Sequence, residues 1–498
     1  MIEKAVDYIT GLDWSSVLEK IIETVNGWVW SPALVVLCLA AGLYFSFGTR
    51  FVQVRRIGEM ARLLFSTDKS QRTGITSFQA FAMALSGRVG TGNIVGVATA
   101  IGYGGPGAIV WMWIIAFLGA GSAFAEATLA QIFKENHKGE YRGGPAYYIE
   151  KGLRARWLAV IFAICAVVAC GVFLPPVQSN GIAISFANTL EINPAWIGLG
   201  VALLIGFVII GGVKRIANVA QIVAPFMAIL YILLSIIILV VHASEVPAVF
   251  GDMIRSAFGM NEIFGGILGS TIAWGVKRGI YSNEAGQGTA PIVAAAAKVS
   301  HPVKQGMVQA FSVYVDTLLV CTATAVMILA CKTYNVFGAD GSMLYTSTVA
   351  QLGEPDVSYT SAAISTLLGG KVGGLIVSIA LFFFAFTTIM AYYYYAETNL
   401  VYLFGKSRKE RVCIWILRIV LIGSVFYGSL KKASLIWSLG DIGVGTMAWI
   451  NIIAILLLSM IPFRALRSYE RQKKAGKEPK FDPDELKIKN ADFWKKNS

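Results

Sequence analysis

Charged side chains are scarce in this 498-residue chain, at 14% of the total, while 56% of its residues are hydrophobic. A chain this long and this apolar, with a mean hydropathy of +0.64, cannot present a soluble surface, and several of its apolar runs approach the roughly 20 residues that cross a bilayer. A polytopic membrane protein follows. The net charge of +13 would point to nucleic acid in a soluble chain, but the basic residues fall in short segments between apolar runs, where they orient a membrane protein. There are three histidines. His137, His242 and His301 stand in loops or at span ends without metal-ligand spacing, which leaves an intramembrane enzyme no catalytic cluster. The six cysteines (Cys38, Cys165, Cys170, Cys321, Cys331, Cys413) match neither a disulfide framework nor a metal knuckle and read as small buried hydrophobes. Residues 1–28 lack the basic start and compact apolar core of a signal peptide.

Glycine, by contrast, is plentiful, with 51 copies, and its placement is informative. Ser86 to Gly96 reads S-G-R-V-G-T-G-N-I-V-G in the middle of an otherwise apolar span running from about Ile75 to Gly102. Four glycines, Arg88, Thr91 and Asn93 at bilayer depth weaken a helix and invite the backbone out of its hydrogen-bond ladder. Freed backbone groups are tolerated only where they are buried in protein or line a polar cavity. The stretch therefore predicts a discontinuous helix bordering a binding site. Close helix packing through the G-x-x-x-G of Gly92 and Gly96 accounts for those glycines, but it does not call for Arg88, Thr91 and Asn93 beside them.

The seventh apolar span repeats the anomaly, reading G-V-K-R-G-I-Y-S-N-E-A-G-Q-G-T-A-P from Gly275 to Pro291. Two broken helices five spans apart form the pattern of an inverted repeat whose halves meet at a midplane site. Residues 1–28 read as an amphipathic segment capped by Asp13, and residues 29–48 as an extra first span. Spans two to six occupy residues 75–242, spans seven to eleven occupy 262–463, and 464–498 read as a basic, flexible tail. Span four carries Pro175-Pro176 followed by Gln178, Ser179 and Asn180, amides that need an interior destination. Eleven spans with the basic connector inside (Arg50, Arg55, Arg56, Arg62, Lys69, Arg72) put the N-terminus outside and the tail in the cytoplasm. Only Lys431-Lys432 stands against that orientation.

Several long motifs together resemble one family. These are V-G-T-G-N-I-V-G-V-A-T-A-I at Val89 to Ile101, G-G-P-G-A-I-V-W-M-W at Gly104 to Trp113, Y-R-G-G-P at Tyr141 to Pro145, Q-S-N at Gln178 to Asn180 and R-G-I-Y-S-N-E-A-G-Q-G-T-A-P at Arg278 to Pro291. They look like the alanine/glycine:cation symporters, also called sodium:alanine symporters, from about Arg50 to Pro462. The resemblance implies an all-α polytopic membrane protein of 11 transmembrane helices. Its core would be a LeuT-type 5+5 inverted repeat with two discontinuous helices, plus one extra N-terminal helix. It also implies Na+-driven uptake of alanine or glycine across a cell membrane. Departures bear on the substrate: Tyr392 stands where tryptophan is frequent and Ala391 where the family shows glycine, so a small neutral amino acid is the firmer expectation.

An amino-acid zwitterion needs donors for its carboxylate and acceptors for its ammonium. Backbone N–H groups around Gly90, Thr91, Gly92 and Asn93, at a helix N-terminus, suit the carboxylate. Freed carbonyls with Asn283 and Gln178 suit the ammonium, and Tyr392 is placed at the substrate side chain. By the resemblance, the carbonyls of Ser86 and Val89 face the hydroxyls of Thr387 and Thr388 to hold Na+, whereas a bland reading has both threonines bonding back to their own helix. Glu126 reads as a carboxylate near the cytoplasmic boundary rather than a coupling residue. Arg88, Lys277, Arg278, Glu284 and Asp316 are left for interior charge pairs whose partners the sequence does not specify. Three other functions stay open: proton coupling through Glu126 or Asp316, a channel, and an intramembrane enzyme.

Overall fold

The structure, a computed structural model, describes residues 14–66, 74–405 and 407–495. The expected Asp13 cap and the connector residues Lys69 and Arg72 lie outside the described residues. Among these residues, eight helices are long and apolar enough to cross a membrane. Helices α1 (Trp14–Val29) and α2 (Pro32–Gly48) supply the first. The first broken segment follows as α3 (Ser77–Arg88), a 3-10 turn at Thr91–Asn93 and α4 (Val95–Gly104). Helix α5 (Ala108–Ile132) leads through the hairpin β1 (Glu135–His137) and β2 (Glu140–Arg142) and the short α6 (Pro145–Leu153) to the long α7 (Arg156–Leu190). The 16-residue α8 (Pro194–Ile209), shorter than a usual span, precedes α9 (Gly212–Val241).

Helix α10 (Val246–Ala257) introduces the second broken segment, α11 (Leu268–Asn283) and α12 (Ala290–Ala296). After α13 (Pro302–Ala330) come a second small hairpin, β3 (Val336–Phe337) with β4 (Met343–Tyr345), and α14 (Val357–Leu368). The chain then runs through α15 (Gly370–Phe404), α16 (Glu410–Leu430), α17 (Ala433–Leu457) and α18 (Met460–Lys474). The double proline of α7 falls just after a π-helical stretch at Ala169–Phe173, a wider turn that accommodates the missing donors without ending the helix. A second π stretch, Tyr314–Cys321, sets Asp316 into the core from α13.

The two broken segments run in opposite directions. At one end the chain entering the first meets the chain leaving the second: Ile75 N–H donates to the Ala296 carbonyl at 3.0 Å, and Lys298 N–H to the Ile75 carbonyl at 2.8 Å. At the other end the Ser270 hydroxyl donates to the Tyr103 carbonyl at 2.7 Å, joining the end of the first to the start of the second. A capping box opens α3, with Thr76 accepting from Gln79 N–H and Gln79 accepting from Thr76 N–H, so the first segment enters the bundle at a fixed point.

The expectation of a flexible tail is corrected. Phe481, Ile488, Phe493 and Trp494 are buried, because the end of the bundle supplies the apolar surface that the tail lacks by itself. The indole N–H of Trp494 donates to the Gln131 carbonyl at 3.0 Å, and Phe481 N–H to the Ser300 carbonyl at 3.1 Å. The Lys134 ammonium lies 4.5, 4.6 and 5.3 Å from the ring centres of Tyr141, Phe493 and Trp494, within cation–π range. The tail is thus strapped across the junction of Ile75 and Ala297. His301 packs against Tyr469 and Phe481, and its burial pushes the imidazole down to about 3, so it is neutral there.

Helix α18 is tied to the connector by Glu59, which accepts from the Tyr469 hydroxyl at 2.7 Å and from Lys473 at 2.6 Å. Burial alone would raise this carboxyl, but the bonds from Lys473 and Tyr469 and the charges of Lys473 and Arg56 outweigh it and hold it below the usual carboxylate range. A depressed carboxylate adds stability that is present above its unfolded pKa and is lost as pH falls through the folded one. Acidification below a pH of about 4 is expected to loosen α18, and Glu59→Gln to remove that pH dependence, as read by hydrogen exchange of residues 460–474. Replacing the buried indole by Trp494→Ala, at a cost of about 3 kcal/mol, is expected to raise hydrogen exchange across residues 478–495 roughly a hundredfold while the membrane helices keep their protection.

Candidate functional site

Helix α3 ends at Arg88 because the next two residues leave helical geometry, Val89 at φ −78°, ψ 91° and Gly90 at φ −140°, ψ −151°. The donors this frees are met by side chains. Asn93 Oδ1 accepts from Gly90 N–H at 2.9 Å, and Gln178 Oε1 accepts from both the N–H and the hydroxyl of Thr91, at 2.9 and 2.8 Å. Gly90, Thr91, Gly92, Asn93 and Gln178 are buried together. Glycine is required at Gly90 by close approach: an added Cβ would lie 2.5 Å from Thr388 Oγ1 and 2.7 Å from Gln178 Oε1. Gln178, expected at a substrate ammonium, here has its amide oxygen turned onto Thr91.

The second break is held differently. Glu284 takes a left-handed conformation at φ 56°, and Gly286 and Gly288 stand at φ 81° and 90°, which only glycine adopts readily. Asn283 is turned onto its own segment, its Oδ1 accepting from Ala285 N–H at 3.0 Å while its Nδ2 donates to the Thr317 hydroxyl at 3.3 Å. Gly286 is gripped at both polar groups. Its N–H donates to Glu126 Oε1 at 3.3 Å, and its carbonyl accepts at 2.9 Å from Asn451 Nδ2, which also donates to Glu126 Oε2 at 2.8 Å. The Tyr148 hydroxyl in turn bonds Asn451 Oδ1. Reading Glu126 as a boundary carboxylate is therefore corrected: it is fully buried against the second break.

One acid joins the two breaks. Asp316 Oδ1 accepts from Asn93 Nδ2 at 2.7 Å, and its Oδ2 from the Ser282 and Thr317 hydroxyls, both at 2.8 Å. Arg88 donates to the Gln309 carbonyl at 3.2 Å and to the Ser312 hydroxyl. Arg278 and Lys277 converge on Asp441, at 2.8 and 2.7 Å, with the guanidinium 4.6 Å from the Trp437 ring centre. Tyr392 is buried beside Tyr395, whose hydroxyl donates to Glu284 Oε2 at 3.2 Å.

Thr388 on α15 lies against the first break. Its hydroxyl oxygen is 2.7 Å from the Ser86 carbonyl, 2.9 Å from that of Phe384 and 3.2 Å from that of Val89. Thr387 is not brought there. One residue earlier on an α-helix it points about 100° away, and its hydroxyl bonds the Phe383 and Phe384 carbonyls of its own helix, both at 3.0 Å. Sequence reasoning overlooked Ser282, Asn451 and Tyr148. A lone amide within the apolar run of α17 was a signal for Asn451, whereas nothing local marked Tyr148.

A family model described as the sodium:alanine symporter family matches residues 15–483. YrbD, described as a putative sodium/proton-dependent alanine carrier protein of Bacillus subtilis (strain 168), is 56% identical over 95% of this chain and 97% of its own length. GlnT, a probable sodium/glutamine symporter of the same organism, is 42% identical over 95% of each chain. Among solved structures, MhsT in complex with L-phenylalanine aligns with a TM-score of 0.51 and 14% identity, over 80% of this chain and 100% of that one. That likeness shows a shared LeuT-type fold.

The close approach at Gly90 has a direct consequence. Gly90→Ala forces Thr388 or Gln178 aside, an overpacking cost of about 1–3 kcal/mol, and is expected to lower amino-acid binding at least tenfold. Gly96→Ala, whose Cβ would meet nothing nearer than Arg278 Cδ at 3.8 Å, is expected to bind like the unaltered protein. Equilibrium binding of labelled alanine to the two purified variants checks both.

Proposed function

The chain belongs to the sodium:alanine symporter family, and from that membership we propose that it is a secondary transporter in which Na+ entry drives uptake of a small neutral amino acid, alanine foremost, by alternating access. Its relatives are cation-coupled carriers, which makes it a multi-pass membrane transporter rather than an enzyme. The observation that carries the ion reading is an imbalance at Thr388. Its hydroxyl has one hydrogen to donate, yet three carbonyl oxygens, from Ser86, Val89 and Phe384, lie within 3.2 Å of it. With the hydrogen on Phe384, the hydroxyl lone pairs and the Ser86 and Val89 carbonyls form a neutral oxygen set that repels itself until a hard cation enters.

For the amino acid, Gln178 Oε1 occupies the position of a carboxylate oxygen, accepting from Thr91 N–H and Oγ1. In this reading the substrate carboxylate replaces it there, Gly90 and Gly92 permit the approach, and Asn93, Asn283 and Tyr392 border the rest of the pocket. Ion and substrate then share the first broken helix, so each favours the arrangement that the other binds. The Arg278–Lys277–Asp441 cluster with Trp437 serves as one gate, and the Ile75–Ala297 junction with the docked tail as the other. Adding α8 and the two broken segments to the eight long helices gives eleven spans. On this count the repeats are 75–242 and 262–463, the N-terminus is outside, and the Ile75–Ala297 end faces the cytoplasm.

Proton coupling is the second reading, favoured by the sodium/proton description of YrbD and by the buried carboxylates Glu126 and Asp316. In proteoliposomes, an inward Na+ gradient at equal pH is expected to accumulate alanine, competed by glycine, while a pH gradient without Na+ gives no uptake. The reverse outcome would establish the proton reading, and conductance beyond carrier rates would indicate a channel. Thr388→Ala is expected to raise the half-saturating Na+ concentration at least tenfold and Thr387→Ala to leave it within twofold; equal effects would refute the ion site.

A further inference from the structure

Where α17 leaves the membrane-spanning bundle and α18 begins, a cavity of about 280 Å3 opens whose charged lining is entirely basic: Lys151, Arg154, Arg464, Lys487 and Lys489. Lys151 is paired with Glu135 at 2.8 Å, but the other four make no ion pair among the described residues. These four side chains come from three separate parts of the chain: the end of α6, the first turns of α18 and the docked tail. Arg154, Lys487 and Asn490 bring them together through left-handed backbone, at φ 59°, 54° and 62°, a conformation that costs roughly 1 kcal/mol or more for a residue with a Cβ. Like charges held this way repel one another unless an anion lies between them.

The uncharged part of the lining is mostly apolar. Phe133, Met460, Ile461 and Ile488 supply it, and Leu457 and Met460, 68% and 58% exposed, continue outward along the surface where α17 emerges. A cavity that offers guanidinium and ammonium groups together with apolar lining, next to the exposed Leu457 and Met460, matches one chemistry: a phosphodiester carrying acyl chains. Arginine grips phosphate oxygens bidentately, and basic pockets at a membrane boundary take anionic headgroups. A free phosphate would use the charges and gain nothing from the apolar lining.

We propose that this cavity is a binding site for an anionic phospholipid, with the headgroup phosphate held by Arg154, Arg464, Lys487 and Lys489 and the acyl chains along Met460 and Leu457. Because Lys487 and Lys489 belong to the docked tail, a lipid bound here fastens the tail to α6 and α18. The site does not depend on which ion or amino acid is carried.

The test uses the full chain in nanodiscs of phosphatidylcholine, with and without 20 mol% (roughly) phosphatidylglycerol, and reads the lipid retained by native mass spectrometry together with hydrogen exchange of residues 478–495. Retained phosphatidylglycerol is expected to exceed phosphatidylcholine at least tenfold over their bulk ratio, and tail exchange to slow at least fivefold. The exposed-surface variant R154Q/R464Q/K487Q/K489Q is expected to lose both effects, whereas the pair K431Q/K432Q, which removes two basic charges at the far end of α16, keeps them. Enrichment undiminished in the fourfold variant, or equally diminished in the K431Q/K432Q pair, would overturn the proposal. So would millimolar inorganic phosphate reproducing the slowed exchange in pure phosphatidylcholine, which would mark an anion site without lipid character.

Discussion

A peptide group that leaves its helix inside a bilayer has no water to turn to, so the protein must satisfy it. Everything around the centre of this structure answers that demand. The first break is met by Asn93 and Gln178, the second by Glu126 and Asn451 with Tyr148 behind them. Each partner comes from another helix or from the break itself, and each is buried. Such groups belong to no repeating ladder, and Thr91, whose two donors both rest on one side-chain oxygen, is where the proposed substrate carboxylate would have least to displace.

Charge follows the same logic. Arg142 sits between Glu140 and Glu397, and Asp441 between Lys277 and Arg278, so the ionic contacts towards the two ends of the bundle are compensated. At the centre Glu126, Glu284 and Asp316 are fully buried and are met by neutral donors rather than by ammonium or guanidinium groups in contact. Isolated charges in a low dielectric are costly. A core whose acids rely on amides and hydroxyls is one that favours the arrival of cations, in keeping with the family's dependence on them.

Both helix breaks were legible in the sequence, because glycines beside Arg88, Thr91 and Asn93, and again beside Asn283 and Glu284, have no ordinary place at bilayer depth. Their antiparallel sense was legible from the count of spans between them. What was not legible depends on direction or on distance along the chain. Sequence spacing alone did not say which of the adjacent Thr387 and Thr388 faces the break; a rotation of about 100° per residue turns Thr388 to the Ser86 and Val89 carbonyls and leaves Thr387 on its own helix. Glu126 and Asn451, 325 positions apart, share no pattern that announces their contact. The tail was misread because its few apolar residues were weighed alone, when the surface they cover belongs to the end of α5 and the residues around Ser300. Gln178 was marked as an amide in need of an interior partner, but that this partner is Thr91 needed three dimensions.

In the proposed mechanism cation and amino acid share one assembled site on the first broken helix. The most direct measurement is equilibrium binding in both directions on the purified protein at constant ionic strength: alanine affinity with and without saturating Na+, and Na+ affinity with and without saturating alanine. Linkage requires the two factors to be equal. Each ligand is expected to tighten the other by the same factor, at least tenfold, and Thr388→Ala to abolish the coupling while leaving residual alanine binding. Alanine affinity independent of Na+, with Na+ binding indifferent to alanine, would contradict it.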